Sequence, residues 1–323
     1  MKAWVAIGLL ALAACGSGGG APERVRIPNG ASLRAVSESL EAHGVITSAS
    51  AFRLWAASGG RDRSIKPGTY DFARGSEWSE VLAVLVSGRG VSATVAIPEG
   101  WGIREITPVL AKALDVAPES IAVAVTDSAL RRALQVPTPT LEGYLFPATY
   151  EFPLGTSARS AVTTMVRRFE QAWRPEWDAQ LARQQRTRHQ AVTMAAIVEK
   201  EARVAAERPT IAGVYWNRVR KGMRLQADPT VQYALGEHVD RVLYKHLEVE
   251  SPYNTYQVAG LPPGPIASPG AASLAAAVNP ADVPYLFFVA HPDGHHEFRR
   301  TFAEHQEARQ LVGRAARAAA TQR

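Results

Sequence analysis

Hydrophobic positions change period several times along the chain. Val25 and Ile27 alternate with charged residues, which predicts a strand. After Pro28-Asn29-Gly30, residues Leu33, Val36 and Leu40 recur at helical spacing. The same order returns further on: Val95 and Ile97, then Pro98-Glu99-Gly100, then Ile103, Ile106 and Leu110. The segments 27–36 and 97–106 therefore form an internal repeat of strand, Pro/Gly turn and helix. Two copies are too few for a solenoid and read as paired small α+β units. Between them the pattern predicts a helix over 51–57, a turn and strand over 65–72, and an amphipathic helix over 78–86 ended by Gly88.

A bridge over 130–139 leads to a second half of different texture. Helices are expected over 158–171, 177–185, 189–206, 210–221 and 269–278. Asp228-Pro229 and Ser268-Pro269 each place a capping side chain before a proline at the first helical position. Gly222 and Gly236 sit at expected helix C-termini. Segments 285–290 and 295–300 read as strands around a His291-Pro292-Asp293-Gly294 turn, and Thr301 with Glu304 forms a capping box for the last helix. The expected fold class is α+β. Residues 24–135 would form a region of two related units, and 136–323 a mostly helical domain.

The 323 residues suit about two domains, and 46% hydrophobic with 20% charged residues is ordinary globular composition. The net charge of +6 fits an anionic partner or simple solubility. No dense Lys/Arg stripe interleaved with aromatics is present, so no nucleic acid is expected as a partner. The single cysteine, Cys15, excludes an internal disulfide. Lys2 precedes an apolar run over 3–14, too short to span a bilayer comfortably and suited to the core of a signal peptide. The run ends Leu12-Ala13-Ala14-Cys15, which resembles a bacterial lipobox, so lipid attachment at Cys15 is expected. Gly16-Ser17-Gly18-Gly19-Gly20 then reads as a flexible tether, giving a non-domain segment over 1–23.

Candidate chemistry centres on Glu199-Lys200-Glu201, at the polar end of a helix that is apolar on all sides from Ala191 to Val198. Residues two apart do not share a helix face, so one glutamate at most enters a given cleft. Glu199 continues the face of Val192 and Ala195, Glu201 that of Met194 and Ile197, and spacing does not choose between them. A carboxylate at such an edge is partly desolvated, which raises its pKa toward that of a general acid. Arg203, at i+4 from Glu199, would oppose this by pairing with it. His291, His295, His296 and Glu297 lie on the predicted hairpin. Alternation places His295 and Glu297 on one face and His296 on the other, and no His-Glu-x-x-His helix occurs, so no metal is expected. Neither a Walker loop nor a dinucleotide fingerprint is present, and no cofactor is expected.

Several blocks resemble those of the endolytic murein transglycosylase family. They are Leu141-Glu142-Gly143-Tyr144-Leu145-Phe146-Pro147 with Thr149-Tyr150, and Ile197-Val198-Glu199-Lys200-Glu201. Asn217-Arg218 with Gly222 to Val231 follows, then Ser251-Pro252-Tyr253-Asn254-Thr255-Tyr256 with Gly260 to Ile266, and a tail around Tyr285 to Val289 and Gly294 to Phe298. In order and spacing they span residues 24 to about 311. The resemblance implies a lyase that cleaves nascent peptidoglycan glycan strands internally, with a lysozyme-like catalytic domain and one catalytic glutamate, mapped to Glu199. It implies protonation of the oxygen between N-acetylmuramic acid and N-acetylglucosamine, attack by the muramyl C6 hydroxyl, and a 1,6-anhydro end. The first half, strand, two helices and strand, resembles the LysM fold that binds peptidoglycan sugars, or serves as a spacer. Tyr253, Asn254, Thr255 and Tyr256 offer aromatic faces and amide donors for sugars, or form a buried turn. Gln226 and Asp228 are further cleft candidates, Asp228 being a helix cap otherwise. Glu142 is a cleft carboxylate or a structural partner. The implied surroundings are the inner membrane with the catalytic part in the periplasm, glycan strands as partner, and wall synthases. A non-catalytic wall-binding scaffold and a hydrolase are the alternatives.

Overall fold

The computed structural model describes residues 21–58, 64–237, 239 and 242–321. Cys15, the expected leader and the tether over 16–20 lie outside them. Among the described residues no helix is long and apolar enough to cross a membrane. The chain packs as two compact units. One runs to Ser92 and takes in Pro153–Gly155; the other comprises Ala93–Phe152 and Thr156 onward.

The smaller unit has the order β1 (Glu23–Ile27), α1 (Leu33–Ala42), α2 (Ala49–Ser58), β2 (Gly68–Phe72), α3 (Trp78–Ser87). β1 and β2 pair antiparallel, with Val25 opposite Tyr70 and Ile27 opposite Gly68. Period-2 alternation turns Val25 and Ile27 inward, where they meet Val36 and Leu40 of α1, Phe52 of α2 and Leu85 of α3 in one core. The Ser32 hydroxyl accepts the Ala35 N–H at 3.2 Å and caps α1. Gly88 ends α3 in the left-handed region, as its position predicts.

The larger unit begins with β3 (Ser92–Ala96), α4 (Ile103–Leu114), α5 (Pro118–Ala124), α6 (Ser128–Ala133) and β4 (Thr149–Pro153). It continues with α7 (Ala158–Ala172), α8 (Pro175–Arg183), α9 (Arg188–Glu201), α10 (Arg208–Arg220), α11 (Asp228–Leu235) and α12 (Ala271–Val278). The hairpin β5 (Phe287–Ala290) and β6 (His296–Arg299) precedes the last helix, α13 (Phe302–Thr321). The fold is mixed α+β, as the patterning predicts. α9 is its centre. Thr187 and Gln190 cap it reciprocally, every residue from Ala191 to Val198 is buried, and α10 and α12 pack on it.

Three features depart from the sequence reading. α5 and α6 were not expected. β4 pairs with β3. Ile97, Ile106 and Leu110 of the second repeat join the core shared with α9, so the packing divides at Ser92 and not at residue 135. The two repeats keep the same turn, with Gly30 at φ 75° and Gly100 at φ 77°. They differ in how the helix starts. α4 is preceded by Gly102, which has no side chain to cap it. Glu142 supplies the acceptor instead, taking the Ile103 N–H at 3.1 and 3.2 Å, while Glu105 takes the Gly102 N–H at 2.9 Å.

Candidate active site

α9 is shorter than its apolar pattern predicts. Ala202 leaves the helical region at φ −75° and ψ 112°, and a separate helix opens at Arg208-Pro209. Glu199 and Glu201 therefore occupy the last turn, pointing to different surroundings. The Glu199 side chain is 6% exposed. Its Oε1 lies 3.3 Å from Arg208 Nη2, and its Oε2 accepts the Gly270 N–H at 2.9 Å. Gly270 precedes α12, so this negative charge meets the positive end of that helix. Arg203 is not the partner, because the helix ends before an i+4 pair can form; Arg208 is. Glu99 joins the same cluster: a Cβ on Gly270 would overlap its carboxylate. Burial, and then the Glu199 charge, push the Glu99 pKa up.

Glu201 faces the other way. It lines a cleft of about 760 Å³ together with Tyr215, Arg218, Gln226, Asp228 and Tyr256, whereas Glu199 does not reach that cleft. The Tyr215 hydroxyl donates to Glu201 Oε1 at 2.9 Å. Burial pushes the Glu201 carboxyl up to about 7; the Tyr215 hydrogen bond and Arg218 oppose this, and the Asp228 charge adds to it. A carboxyl that titrates near neutrality in a cleft can both give and take a proton there.

Asp228 does not cap α11, whose preceding residue is Ala227 and lacks a side-chain cap. Its Oδ1 instead accepts the Tyr256 hydroxyl at 2.5 Å, which holds the carboxylate in the cleft. Gln226 reaches the cleft through a left-handed backbone (φ 53°), with buried Leu225 and Ala227 on either side. The Tyr253 to Tyr256 loop is split. Only Tyr256 lines the cleft. Asn254 and Thr255 are 0% and 1% exposed and hold the loop. Asn254 Nδ2 donates to the carbonyls of Leu247 and Val249, and Thr255 Oγ1 accepts the Ala227 N–H at 3.0 Å. These two are corrected from sugar-contacting candidates to the buried turn that was the alternative. Tyr253 packs on Tyr233 with ring centroids 4.7 Å apart, away from Glu201.

Glu142 is also a structural partner, capping α4 as described, with burial pushing it up to about 7. It borders a separate pocket of about 330 Å³ with Arg104, Lys200 and Tyr233. Gly143 beside it has φ 81°, and a Cβ there would overlap the Pro265 ring. Tyr144 OH and His189 Nδ1 are 2.8 Å apart, and His189 Nε2 lies 2.8 Å from the Pro263 carbonyl oxygen. These motif blocks thus brace the start of α9. Ser268 is not a helix cap either, since α12 starts at Ala271 and the Ser268 hydroxyl is buried without a partner among the described residues.

His291 and His295 stack with ring centroids 4.0 Å apart, whereas His296 lies apart from them. His296 is buried against Glu207 (Nδ1 to Oε2 2.7 Å), His291 meets Glu297 and His295 meets Asp293. Among the described residues no three His, Cys, Asp or Glu side chains form a group that could hold a metal ion. The sequence reading missed Tyr215 and the face of α13 formed by Phe302, His305, Gln306 and Arg309, which lines the cleft. The spacing i, i+3, i+4, i+7 is the signal that would have found that face.

A family model described as the YceG-like family matches residues 25–311. The chain belongs to the YceG-like family. This YceG-like chain is 34% identical over 302 residues to the endolytic murein transglycosylase of Bacillus subtilis (strain 168), covering 88% of itself and 83% of that protein. It is 27% identical over 297 residues, 82% of its length, to the endolytic murein transglycosylase of Streptococcus pneumoniae serotype 2 (strain D39), and spans 54% of that longer protein. A crystal structure of a YceG-like protein from Listeria monocytogenes matches with a TM-score of 0.62 at 34% identity, covering 88% of this chain and 98% of the other.

Proposed function

We propose that this YceG-like protein is an endolytic peptidoglycan transglycosylase, a lyase acting within glycan strands, with Glu201 as its general acid and base. The observation that carries this is a carboxyl held near neutrality at the end of a buried helix and open to the cleft. Glu199, expected from the order of the motif, is engaged by Arg208 and the Gly270 N–H and does not line that cleft.

Glu201 protonates the glycosidic oxygen between C1 of N-acetylmuramic acid and N-acetylglucosamine, and the C1–O bond breaks. The carboxylate then takes the proton of the muramyl C6 hydroxyl as O6 bonds to C1, leaving a 1,6-anhydro end. No water is activated, so a second carboxylate is not needed as a base, in contrast to most glycosidases. Asp228, fixed by Tyr256, serves differently. Its negative charge would face the positive charge that grows at C1, and it adds to the burial that raises the Glu201 carboxyl.

The β1-α1-α2-β2 order supports a LysM-like role in holding the strand for the smaller unit. The run before Cys15 supports lipid anchoring at the inner membrane, with the cleft in the periplasm near wall synthases. The test is muropeptide analysis of purified glycan strands after incubation with the protein. Anhydro ends are expected; reducing ends would make it a hydrolase, and unchanged strands would make it a scaffold.

A further inference from the structure

We propose that the exposed face of α2 in the smaller unit docks on the lipid surface that anchors the chain, with Leu54 and Trp55 entering the headgroup region. This goes beyond the sugar-holding role given to that unit and rests on the anchoring reading above. Ala51, Leu54, Trp55 and Ser58 stand at i, i+3, i+4 and i+7 of α2 and are all exposed, turned away from Phe52 and Ala56 in the core. Leu54 is 75% and Trp55 39% exposed. A single exposed leucine is ordinary. Here it flanks a fixed aromatic wall. The Trp55 and Trp78 ring centroids are 5.9 Å apart, and buried Phe52 packs on both, at 5.9 and 5.8 Å. The rings are therefore in place before any partner arrives.

The path of the chain indicates what covers this face. Only seven residues, Gly16 to Pro22, separate Cys15 from Glu23, where β1 begins. Even fully extended they reach no further than about 28 Å. β1 enters the smaller unit beside the aromatic wall: Arg74 Nε donates to Glu23 Oε1 at 2.8 Å, and Trp78 opens α3 four residues beyond Arg74. A lipidated Cys15, or the apolar run before it, thus keeps this side of the unit close to a bilayer. Tryptophan and leucine settle at the boundary between headgroups and acyl chains, where the indole ring is covered and its N–H stays in water. Glu77 and Glu80, exposed at the start of α3, leave no cationic patch there, so the contact is apolar and not a charge attraction. It need not be strong alone, because the short tether raises its effective concentration at the surface. A second point of contact also fixes how the unit is turned on the membrane, which a tether by itself does not.

The experiment uses the full chain, purified with its anchor and floated with vesicles of phosphatidylethanolamine and phosphatidylglycerol that contain lipids brominated along the acyl chain. An environment-sensitive dye is attached at Leu54→Cys. The control is Asn29→Cys, in the exposed turn at the other end of β1. The unsubstituted chain, labelled in parallel, gives the background from Cys15. The dye at 54 should shift to the blue and be quenched most by bromines about 5–10 Å into the acyl boundary, and the dye at 29 should do neither. High salt should leave the shift in place. With the dye moved to Ala51→Cys, adding Leu54→Glu should abolish the shift without changing the circular dichroism spectrum. Equal signals at 54 and 29, or a shift that survives Leu54→Glu, would overturn the proposal. So would a dye at 54 that stays in water on vesicles and shifts only with purified sacculi, which would make this face a sugar contact. If the chain floats but mass spectrometry finds Cys15 unmodified, the lipid-anchor reading fails, while the comparison of 54 with 29 still decides the docking face. A chain that does not float overturns both.

Discussion

Glu199 and Glu201 are the same residue type, in the same turn of the same buried helix, two positions apart. Yet α12 and Arg208 close one, and α10 and the cleft frame the other. Arg208 and the Gly270 N–H both engage the Glu199 carboxyl oxygens. Burial disfavours ionisation of Glu201 and the Asp228 charge adds to this, against the Tyr215 hydrogen bond and Arg218. An apolar helix end brings both groups out of bulk water; what each can do is decided by the elements that arrive from elsewhere in the chain.

The sharpest way to break this comparison is by activity. Glu201→Gln should lose at least ~10²-fold in release of anhydro ends, the usual scale of general acid–base catalysis, and keep its circular dichroism spectrum. Glu199→Gln should remain within about 10-fold of wild type, since it removes no proton donor from the cleft. The reverse result would exchange the two roles. Stability should separate them the other way. Glu199→Gln leaves partly buried Arg208 with Glu99 as its remaining acidic neighbour, at a cost of about 2–3 kcal/mol in denaturant unfolding. A Glu199→Gln variant as stable as wild type would show that the ion pair does not hold the turn.

The smallest effects lie in the pH profile. Catalysis needs protonated Glu201, so kcat/KM should fall as pH rises through about 7. Tyr215→Phe removes a hydrogen bond that favours the carboxylate, so its alkaline limb should move to higher pH. Asp228→Asn removes a charge that opposes ionisation, so its limb should move to lower pH. Shifts in the same direction would mean that another group sets the limb.

Much of the frame was legible from patterning. The alternation at Val25 and Ile27, the Pro/Gly turns, the stop at Gly88 and the Thr301–Glu304 capping box are local signals, and the folded chain carries them out locally. The motif blocks located the right helix but mixed two kinds of residue. Asn254, Thr255, Gly143 and Tyr144 hold backbone together, and nothing in their spacing separates them from Tyr256 and Asp228, which face the cleft. The choice between Glu199 and Glu201 was illegible for a related reason. It depends on where α9 stops and on Arg208, Gly270 and Tyr215, whose approach is tertiary. α5 and α6 escaped notice because short helices leave little periodicity to read.

The cap on α4 bears on the order in which the molecule folds. The acceptor for the first turn of α1 is three residues away in sequence, whereas Glu142 is 39 residues from the Ile103 amide it serves. α1 can therefore close its first turn from its own sequence, early and independently. α4 cannot: its leading N–H stays unmet until the chain has passed through α5 and α6 and folded back, and loop closure on that scale comes late. Hydrogen exchange at the Ala35 amide reads local fraying of one helix. Exchange at the Ile103 amide reads the opening of a long loop across the larger unit, so the repeat has kept its shape while giving up its independence.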